Sequence, residues 1–206
     1  MARDIEKPVI VQSDRSILLD TDSPAFEDAR DCLAGFAELV KSPEHIHTYR
    51  LSALSLWNAA AAGMGSAEIL DGLRRYSKYD VPQNIEAEII DTVARYGRLK
   101  LYKSPDGPLV LESEDTMLIT ELLNNRTVQP HIVGSPDGKR IFVKPEERGN
   151  LKSALIKVGF PVEDLAGYVQ GAPLKVNLRE TCLSGRPFGL RQYQRESVDA
   201  FYAGGA

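Results

Sequence analysis

Alternating apolar and polar positions open the chain and predict two short strands, at residues 8–12 and 16–20, around a turn at 13–15. Helical spacing then replaces the alternation. The run Asp22-Ser23-Pro24 is typical of a helix start, and apolar residues recur at three- and four-residue intervals as far as Val40. We therefore expect a helix from about residue 24 to residue 40, followed by a polar loop before Tyr49.

The middle of the chain predicts three short helices and then a hairpin. The helices are expected at 52–63, 66–78 and 84–96, because apolar residues keep helical spacing in each. Two strand-like runs follow at 98–103 and 108–112, joined by the turn signal Ser-Pro-Asp-Gly. Three helices followed by a β-hairpin are typical of a winged helix, and we predict a winged-helix-like N-terminal domain.

A second unit is predicted after a boundary near residues 125–129. It follows a helix at about 115–124 and begins with strands at 130–133 and 140–143, which another Ser-Pro-Asp-Gly turn connects. The remaining segments are a helix from Pro145 to Gly159, a tether at 171–187 and a closing helix at about 191–202. Together these elements predict the α+β fold class.

Composition narrows the class of protein. The 206 residues are 43% hydrophobic and 26% charged, which is the balance of a soluble globular chain. No run approaches the roughly 20 apolar residues of a membrane span, and the charged N-terminus does not resemble a secretory signal. Cys32 and Cys182 lie far apart, and the three histidines add no metal motif. We expect a cytoplasmic protein that has neither a membrane contact nor a metal site.

Net charge is −4, but the charge is unevenly distributed. The segment from residue 130 onward carries 11 basic and 8 acidic residues, or +3, on an otherwise acidic chain. Such a segment permits a phosphate-contacting surface without requiring one. The sequence contains no Gly-x-x-x-x-Gly-Lys-Ser/Thr loop, His-Glu-x-x-His or Gly-x-Ser-x-Gly motif, so we predict no catalytic residues.

The end of the chain carries a more specific pattern. Residues 190–194 read Leu-Arg-Gln-Tyr-Gln at the start of the last predicted helix. An amide offers one donor and one acceptor, which is what adenine N6 and N7 require. The pattern Leu-Arg-x-Tyr-Gln resembles the adenine-recognising Q motif of superfamily-two helicases. That resemblance implies adenine contact by Arg191 and Gln194, whereas an ordinary surface helix remains the alternative.

Longer blocks resemble the N-terminal region of XPB-type DNA repair helicases, in order along nearly the whole chain. These blocks are residues 8–15, 47–52, 56–60, 67–77, 81–82, 95–101, 145–155 and 159–168, and the Q-motif segment follows them. The resemblance implies residues 1–125 as the N-terminal domain, 128–170 as a damage-recognition-like domain, 171–187 as a linker, and 188–206 as the Q-motif helix that starts a truncated RecA-like lobe.

The resemblance also implies a function. The family uses ATP and Mg²⁺, but this sequence stops before a phosphate loop, so the chain alone is expected to bind no cofactor and to be no ATPase. DNA, single-stranded or forked, and helicase motor lobes or a repair protein are the implied partners. We expect DNA binding and partner docking for DNA repair. An interaction module without DNA affinity, or a nonfunctional remnant of a disrupted helicase gene, remains open.

The candidate phosphate contacts are basic residues of the damage-recognition-like unit: Lys139, Arg140, Lys144, Arg148 and Lys152. The last three recur every four residues and are expected to line one helix face. The alternative is an exposed helix whose charge Glu146 and Glu147 balance. A second DNA hypothesis places the 66–78 or 84–96 helix in a groove, although the acidic residues of the latter disfavour it.

Overall fold

Hydrogen-bonded strands from the first 50 residues form one antiparallel sheet. The computed structural model describes residues 7–104, 107–167 and 177–204, and the chain divides into two compact units, residues 1–167 and 168–206. In the first unit the strands are β1 (Val9–Val11), β2 (Ser16–Asp20), β3 (Glu38–Lys41) and β4 (Ile46–Arg50). Their order is β1-β2-β4-β3, with every neighbouring pair antiparallel.

Two segments of this sheet differ from the sequence-based expectation. Helix α1 (Phe26–Ala34) ends before Gly35, and the segment expected to continue it to Val40 is strand β3. The expected loop before Tyr49 is strand β4, which pairs along its length with β2. Both differences have the same cause. Pairing with residues that are distant in sequence determines that these segments are strands, and local periodicity contains no information about such pairing.

The three helices that the sequence predicts are present, and they pack against the inner face of this sheet. They are α2 (Ala53–Ala61), α3 (Ser66–Tyr76) and α4 (Gln83–Ala94). Helix α2 begins with a capping box, in which Ser52 Oγ accepts the Ser55 N–H at 3.0 Å and Ser55 Oγ accepts the Ser52 N–H at 3.1 Å. Leu33, Leu73 and Ile89 lie in the common core of the sheet and these helices.

A second, five-stranded sheet follows. Its strands are β5 (Leu99–Lys103), β6 (Leu109–Glu112), β7 (Ile132–Gly134), β8 (Arg140–Val143) and β9 (Val162–Asp164), in the order β7-β8-β6-β5-β9. All pairs are antiparallel except β5 and β9, which are parallel. Two helices, α5 (Thr116–Asn124) and α6 (Arg148–Lys157), bury Leu118, Ile119 and Leu151 against one face.

The winged-helix expectation is not confirmed. The hairpin β5–β6, expected as the wing beside the three helices, lies at the centre of the five-stranded sheet, with β8 on one side and β9 on the other. This sheet therefore joins strands from both sides of the boundary expected near residues 125–129. The buried residues Leu99, Leu101 and Leu111 explain the arrangement, because a two-stranded wing would leave them in water.

Aromatic and arginine side chains join α4 and the residues after it to neighbouring elements of the first unit. Trp57 is buried and donates its Nε1–H to the Thr92 carbonyl oxygen at 2.9 Å, which links α2 to α4. The guanidinium groups of Arg95 and Arg98 lie 5.8 and 5.9 Å from the ring centre of Phe160, which precedes β9. These contacts join the end of α4 to the second sheet.

The second unit contains a short turn and the last helix. Thr181 and Pro187 form an isolated antiparallel bridge, and helix α7 covers Gln192–Gly204. Residues 171–176 of the expected tether lie outside the described residues. No helix in the described parts of the chain combines the length and the apolar character needed to cross a membrane.

Candidate nucleic-acid interface

The turn between β7 and β8 positions the first two predicted phosphate contacts. Asp137 Oδ1 accepts the backbone N–H groups of Lys139 and Arg140 at 3.1 and 3.0 Å, and Gly138 adopts φ +73°. Arg140 Nε donates to Asp137 Oδ2 at 2.7 Å, a hydrogen bond that lowers the pKa of that carboxyl group. Lys139 Nζ lies 2.8 Å from Glu114 Oε2. Both cations are exposed, but each already has a carboxylate partner.

Arg148 and Lys152 converge on one carboxylate. Arg148 donates to both oxygens of Asp164 at 3.1 and 2.8 Å, and Lys152 Nζ donates to Asp164 Oδ2 at 2.9 Å. The Asp164 side chain is only 12% exposed. Burial alone would raise its pKa, but the hydrogen bonds from Arg148 and Lys152 outweigh burial, and the pKa is lowered. The two cations therefore share a helix face, and they anchor β9 to α6.

Lys144 does not join that face. It precedes the 3-10 turn Pro145–Glu147, one turn before α6 begins, and its Nζ donates to the Pro130 carbonyl oxygen at 3.1 Å. Pro145 opens the helical segment as expected, since the 3-10 turn runs directly into α6, but Lys144 precedes this segment and so does not lie on its face. Lys144 lies instead beside the strands, on the β7–β8 side of the unit.

The outer face of the sheet contains charged residues that the sequence analysis did not single out. Lys100 pairs in register with Glu112 on one side and Glu163 on the other, and Glu112 pairs with Arg140. The result is a row of alternating sign across four strands. The alternation Leu-Lys-Leu-Tyr-Lys in β5 is a signal that identifies Lys100 as outward-facing from the sequence.

The predicted adenine contacts lie in the second unit, at the start of α7. Gln194 Oε1 accepts the backbone N–H of Arg191 at 3.0 Å, so the side chain caps its own helix. An amide oxygen accepts two hydrogen bonds, and this one keeps a second lone pair. The residue type and its place at a helix start therefore suit adenine, although the cap already uses part of the amide.

Other candidate sites can be assessed from the side chains. His47 lies on β4 and packs edge-on against Phe26, with ring centres 5.3 Å apart. In the second DNA hypothesis α3 supplies Arg74, but Arg74 Nη2 lies 2.7 Å from Glu86 Oε1 on α4. This basic residue therefore already has a carboxylate partner. Within the three described ranges, His, Cys, Asp and Glu side chains form no group of three or more that could hold a metal ion.

Comparison with known proteins assigns the chain to a protein family. A family model described as "Helicase conserved C-terminal domain" matches residues 9–135. The "DNA 3'-5' helicase XPB" of Mycobacterium tuberculosis is 45% identical over 97% of this chain, and that of Kineococcus radiotolerans is also 45% identical over 97%. A more distant relative, from Encephalitozoon cuniculi, is 24% identical over 96% of this chain and is named "General transcription and DNA repair factor IIH helicase/translocase subunit XPB".

The chain spans about a third of the length of the curated relatives it matches, 35% in the two bacterial proteins. The family model takes its name from a C-terminal domain, whereas the sequence analysis expects the N-terminal region, and that expectation stays a prediction. With residues 9–135 of its 206 matched by the model, the chain belongs to the helicase conserved C-terminal domain family, and its sequence is of the XPB helicase type.

Proposed function

We propose that this chain is the non-motor N-terminal part of an XPB-type DNA helicase and that it engages single-stranded or forked DNA in DNA repair. The observation that carries the proposal is the 45% identity, along 97% of the chain, to two proteins named DNA 3'-5' helicase XPB. Similarity that extends along nearly the whole chain supports a shared role of this segment better than a single motif does.

The second sheet supplies the proposed DNA contacts. Lys139 and Arg140 lie at the turn between β7 and β8, and Lys144 follows the other end of β8. Their partners are an exposed carboxylate, a turn carboxylate and a carbonyl oxygen. Exposed pairs of this kind are weak, so phosphate groups can compete for the cations. Arg148 and Lys152 contribute differently to DNA binding. They share the single carboxylate of Asp164, so a net charge of +1 remains, and the ion pairs hold both side chains on one face of α6.

Fluorescence anisotropy of labelled single-stranded, duplex and forked DNA, measured across a salt series, tests the proposal. Loss of affinity with rising salt is expected, because phosphate contacts release counterions. Replacing Lys139 and Lys144 together with Glu removes two contacts, so the slope of log K against log salt should fall by about 1.4 for single strands.

A matched control changes the same charge elsewhere. Lys41 and Arg50 are exposed on the first sheet, and replacing both with Glu gives an equal change in net charge. This control should keep the wild-type slope. Equal losses in the two double variants would mean that only total charge matters, and a flat titration of the wild-type chain would reject independent DNA binding.

ATP and Mg²⁺ are the cofactors that we propose for the full-length helicase. Arg191 and Gln194 are the residues here that suit adenine, since Gln194 Oε1 keeps a lone pair beside the Arg191 N–H. We propose no ATP hydrolysis by this chain alone, because its sequence contains no phosphate loop.

Docking of a repair protein or of the helicase motor lobes is the second candidate function. The edge strand β3 favours it, because Leu39 and Val40 are 54% and 51% exposed at an edge of the first sheet. The name of the Encephalitozoon relative, a subunit of factor IIH, is consistent with such a role. A folded chain that gives a flat DNA titration would favour this candidate over the first.

A further inference from the structure

The first unit consists of two halves with separate cores. The four-stranded half contains strands β1 to β4 and helices α1 to α4, and the five-stranded half contains strands β5 to β9 with α5 and α6. The buried residues of the two cores form clusters that share no member among the described residues. Extensive packing between described helices and strands also lies within one half or the other. Because each half buries its own apolar surface, each can keep its fold while it moves relative to its neighbour.

A short connector joins the halves. Helix α4 ends at Ala94 and strand β5 begins at Leu99, so the connector is residues 95–98. None of these residues is buried. Gly97 adopts φ +81°, a backbone conformation that residues with a side chain rarely adopt. A few residues at the ends of two elements, free of core packing, are typical of a hinge.

A cleft of about 320 Å³ separates the halves beside this connector. Helix α2 lines one wall, α6 and β9 line the other, and Tyr96 of the connector lies at the edge. Leu54 and Ile156, one on each wall, remain 48% and 41% exposed. Trp57 lines the cleft and belongs to neither core cluster. Apolar groups that face a cleft instead of one another lose contacts, so the packing here holds the halves together only weakly.

Arg95 is the connector residue that crosses from one half to the other. Its Nη2 lies 2.8 Å from Asp91 Oδ2, one turn earlier in α4, which anchors it to the four-stranded half. Its guanidinium group lies 5.8 Å from the ring centre of Phe160, and its Nη1 donates to the Gly159 carbonyl oxygen at 3.4 Å. Phe160 in turn packs against the core of the five-stranded half.

Arg98 holds the same ring from the other side of the connector. Its guanidinium group lies 5.9 Å from the ring centre of Phe160, and its Nη2 pairs with Asp115, the residue that caps α5. Both of these partners belong to the five-stranded half. Arg98 therefore fixes Phe160 within its own half, and Arg95 alone supplies the contact across the hinge from this pair of arginines.

We propose that residues 95–98 form a hinge between the two halves and that Arg95, in contact with Phe160 and Gly159, is the latch that keeps the hinge closed. Release of Arg95 lets the five-stranded half rotate about the connector and changes the width of the cleft beside Trp57. A molecule that contacts both walls in only one of the two states would shift the balance towards that state. The latch is independent of whether the second sheet binds DNA.

Distances between the halves, measured on the whole chain by double electron–electron resonance, test the latch. Spin labels are attached through Lys41→Cys and Lys157→Cys, at exposed residues of opposite halves, in a Cys32→Ala, Cys182→Ser background. This background should give one main distance and a minor, shifted one.

Two variants release the latch in different ways. Arg95→Gln removes both the cation–π contact and the hydrogen bond across the hinge, so the ratio of the shifted to the main distance should rise about tenfold. Phe160→Leu keeps an apolar side chain against the core and removes only the aromatic face, so the ratio should rise about threefold. Circular dichroism checks that each variant is folded.

Arg30→Gln is the matched control. Arg30 also lies 5.8 Å from an aromatic ring centre, that of Phe26, and pairs with Asp31, but all three residues belong to the four-stranded half. This variant should keep the distances of the background. A shift in Arg95→Gln and in Phe160→Leu but not in the control supports the latch. Unchanged distances in both folded latch variants, or an equal shift in Arg30→Gln, would overturn it.

Discussion

Asp164→Asn tests how the second sheet is held together. Asp164 is the last residue of β9, and its carboxylate accepts hydrogen bonds from Arg148 Nε, Arg148 Nη2 and Lys152 Nζ. It also accepts the Ala166 N–H at 3.2 Å. The substitution keeps the shape of the side chain and removes its charge, so two cations on α6 lose their common partner.

The expected loss in the free energy of unfolding follows from the burial of the Asp164 carboxylate. Removing one partner of a buried ion pair costs about 3–5 kcal/mol, and Lys152 is 36% exposed, so we expect the lower limit, about 3 kcal/mol. At roughly 2–4 °C per kcal/mol for a domain of this size, the thermal midpoint should fall by roughly 6–12 °C.

The effect of pH has a definite sign. Because the pKa of Asp164 is lowered in the folded state, its contribution to stability is complete above the unfolded value of about 3.9 and disappears as the pH falls through the folded value. The difference between wild type and Asp164→Asn should therefore be constant near neutral pH and shrink below about pH 4.

Urea unfolding monitored by circular dichroism, repeated from neutral pH to pH 3, measures both effects. Asp137→Asn is the matched control, because Asp137 also pairs with an arginine but at an exposed turn, and it should change stability little. The reasoning is refuted if the two variants lose equal stability, or if the loss in Asp164→Asn persists unchanged in acid.

Three further substitutions test packing and capping. A Cβ at Gly72 would lie 2.8 Å from Cys32 Sγ, so Gly72→Ala should destabilise the wild type by about 1–2 kcal/mol, yet stabilise a Cys32→Ala background by up to about 1 kcal/mol. Denaturant titration of the double-mutant cycle measures this change of sign, and two equal effects would contradict it. Trp57→Phe should cost about 1–2 kcal/mol by leaving the Thr92 carbonyl oxygen without its indole donor, and it should weaken hydrogen-exchange protection in α4, whereas Tyr79→Phe provides a control. Ser52→Ala removes the cap of α2 and should cost about 1 kcal/mol by thermal unfolding, whereas Ser52→Thr should retain most of the stability, because its hydroxyl can still cap the helix and donate to Glu38.

Local patterns were sufficient for most of the elements. Helices α2 to α4 follow from apolar spacing and capping residues, and β1 and β2 follow from alternation around a tight turn. Strand β3 was predicted as the end of a helix, because Leu39 and Val40 suit both structures and only pairing with β4 decides between them. Strand β9 has three residues and no pattern of its own, so pairing with β5, about 60 residues earlier, defines it.

The same limit applies to the candidate interface. The basic residues from Lys139 to Lys152 are visible in the sequence, and so is their spacing. Their partners are not, because Asp164 reaches Arg148 only once β9 has been placed at the edge of the sheet. The sequence therefore identifies the basic residues, but it does not show which of them form ion pairs within the folded protein.

The parallel pairing of β5 with β9 also determines where the chain can be truncated and when the second sheet can form during synthesis. Strand β5 is complete at Lys103, but its second neighbour is not synthesised until Asp164. Until then the hairpin presents an open edge next to Leu99 and Leu101, which are fully buried in the finished sheet. A fragment that stops near residue 125 retains that edge permanently, and exposed apolar edges recruit other chains. Such a fragment should aggregate in size-exclusion chromatography, whereas one that extends through residue 167 should remain monodisperse.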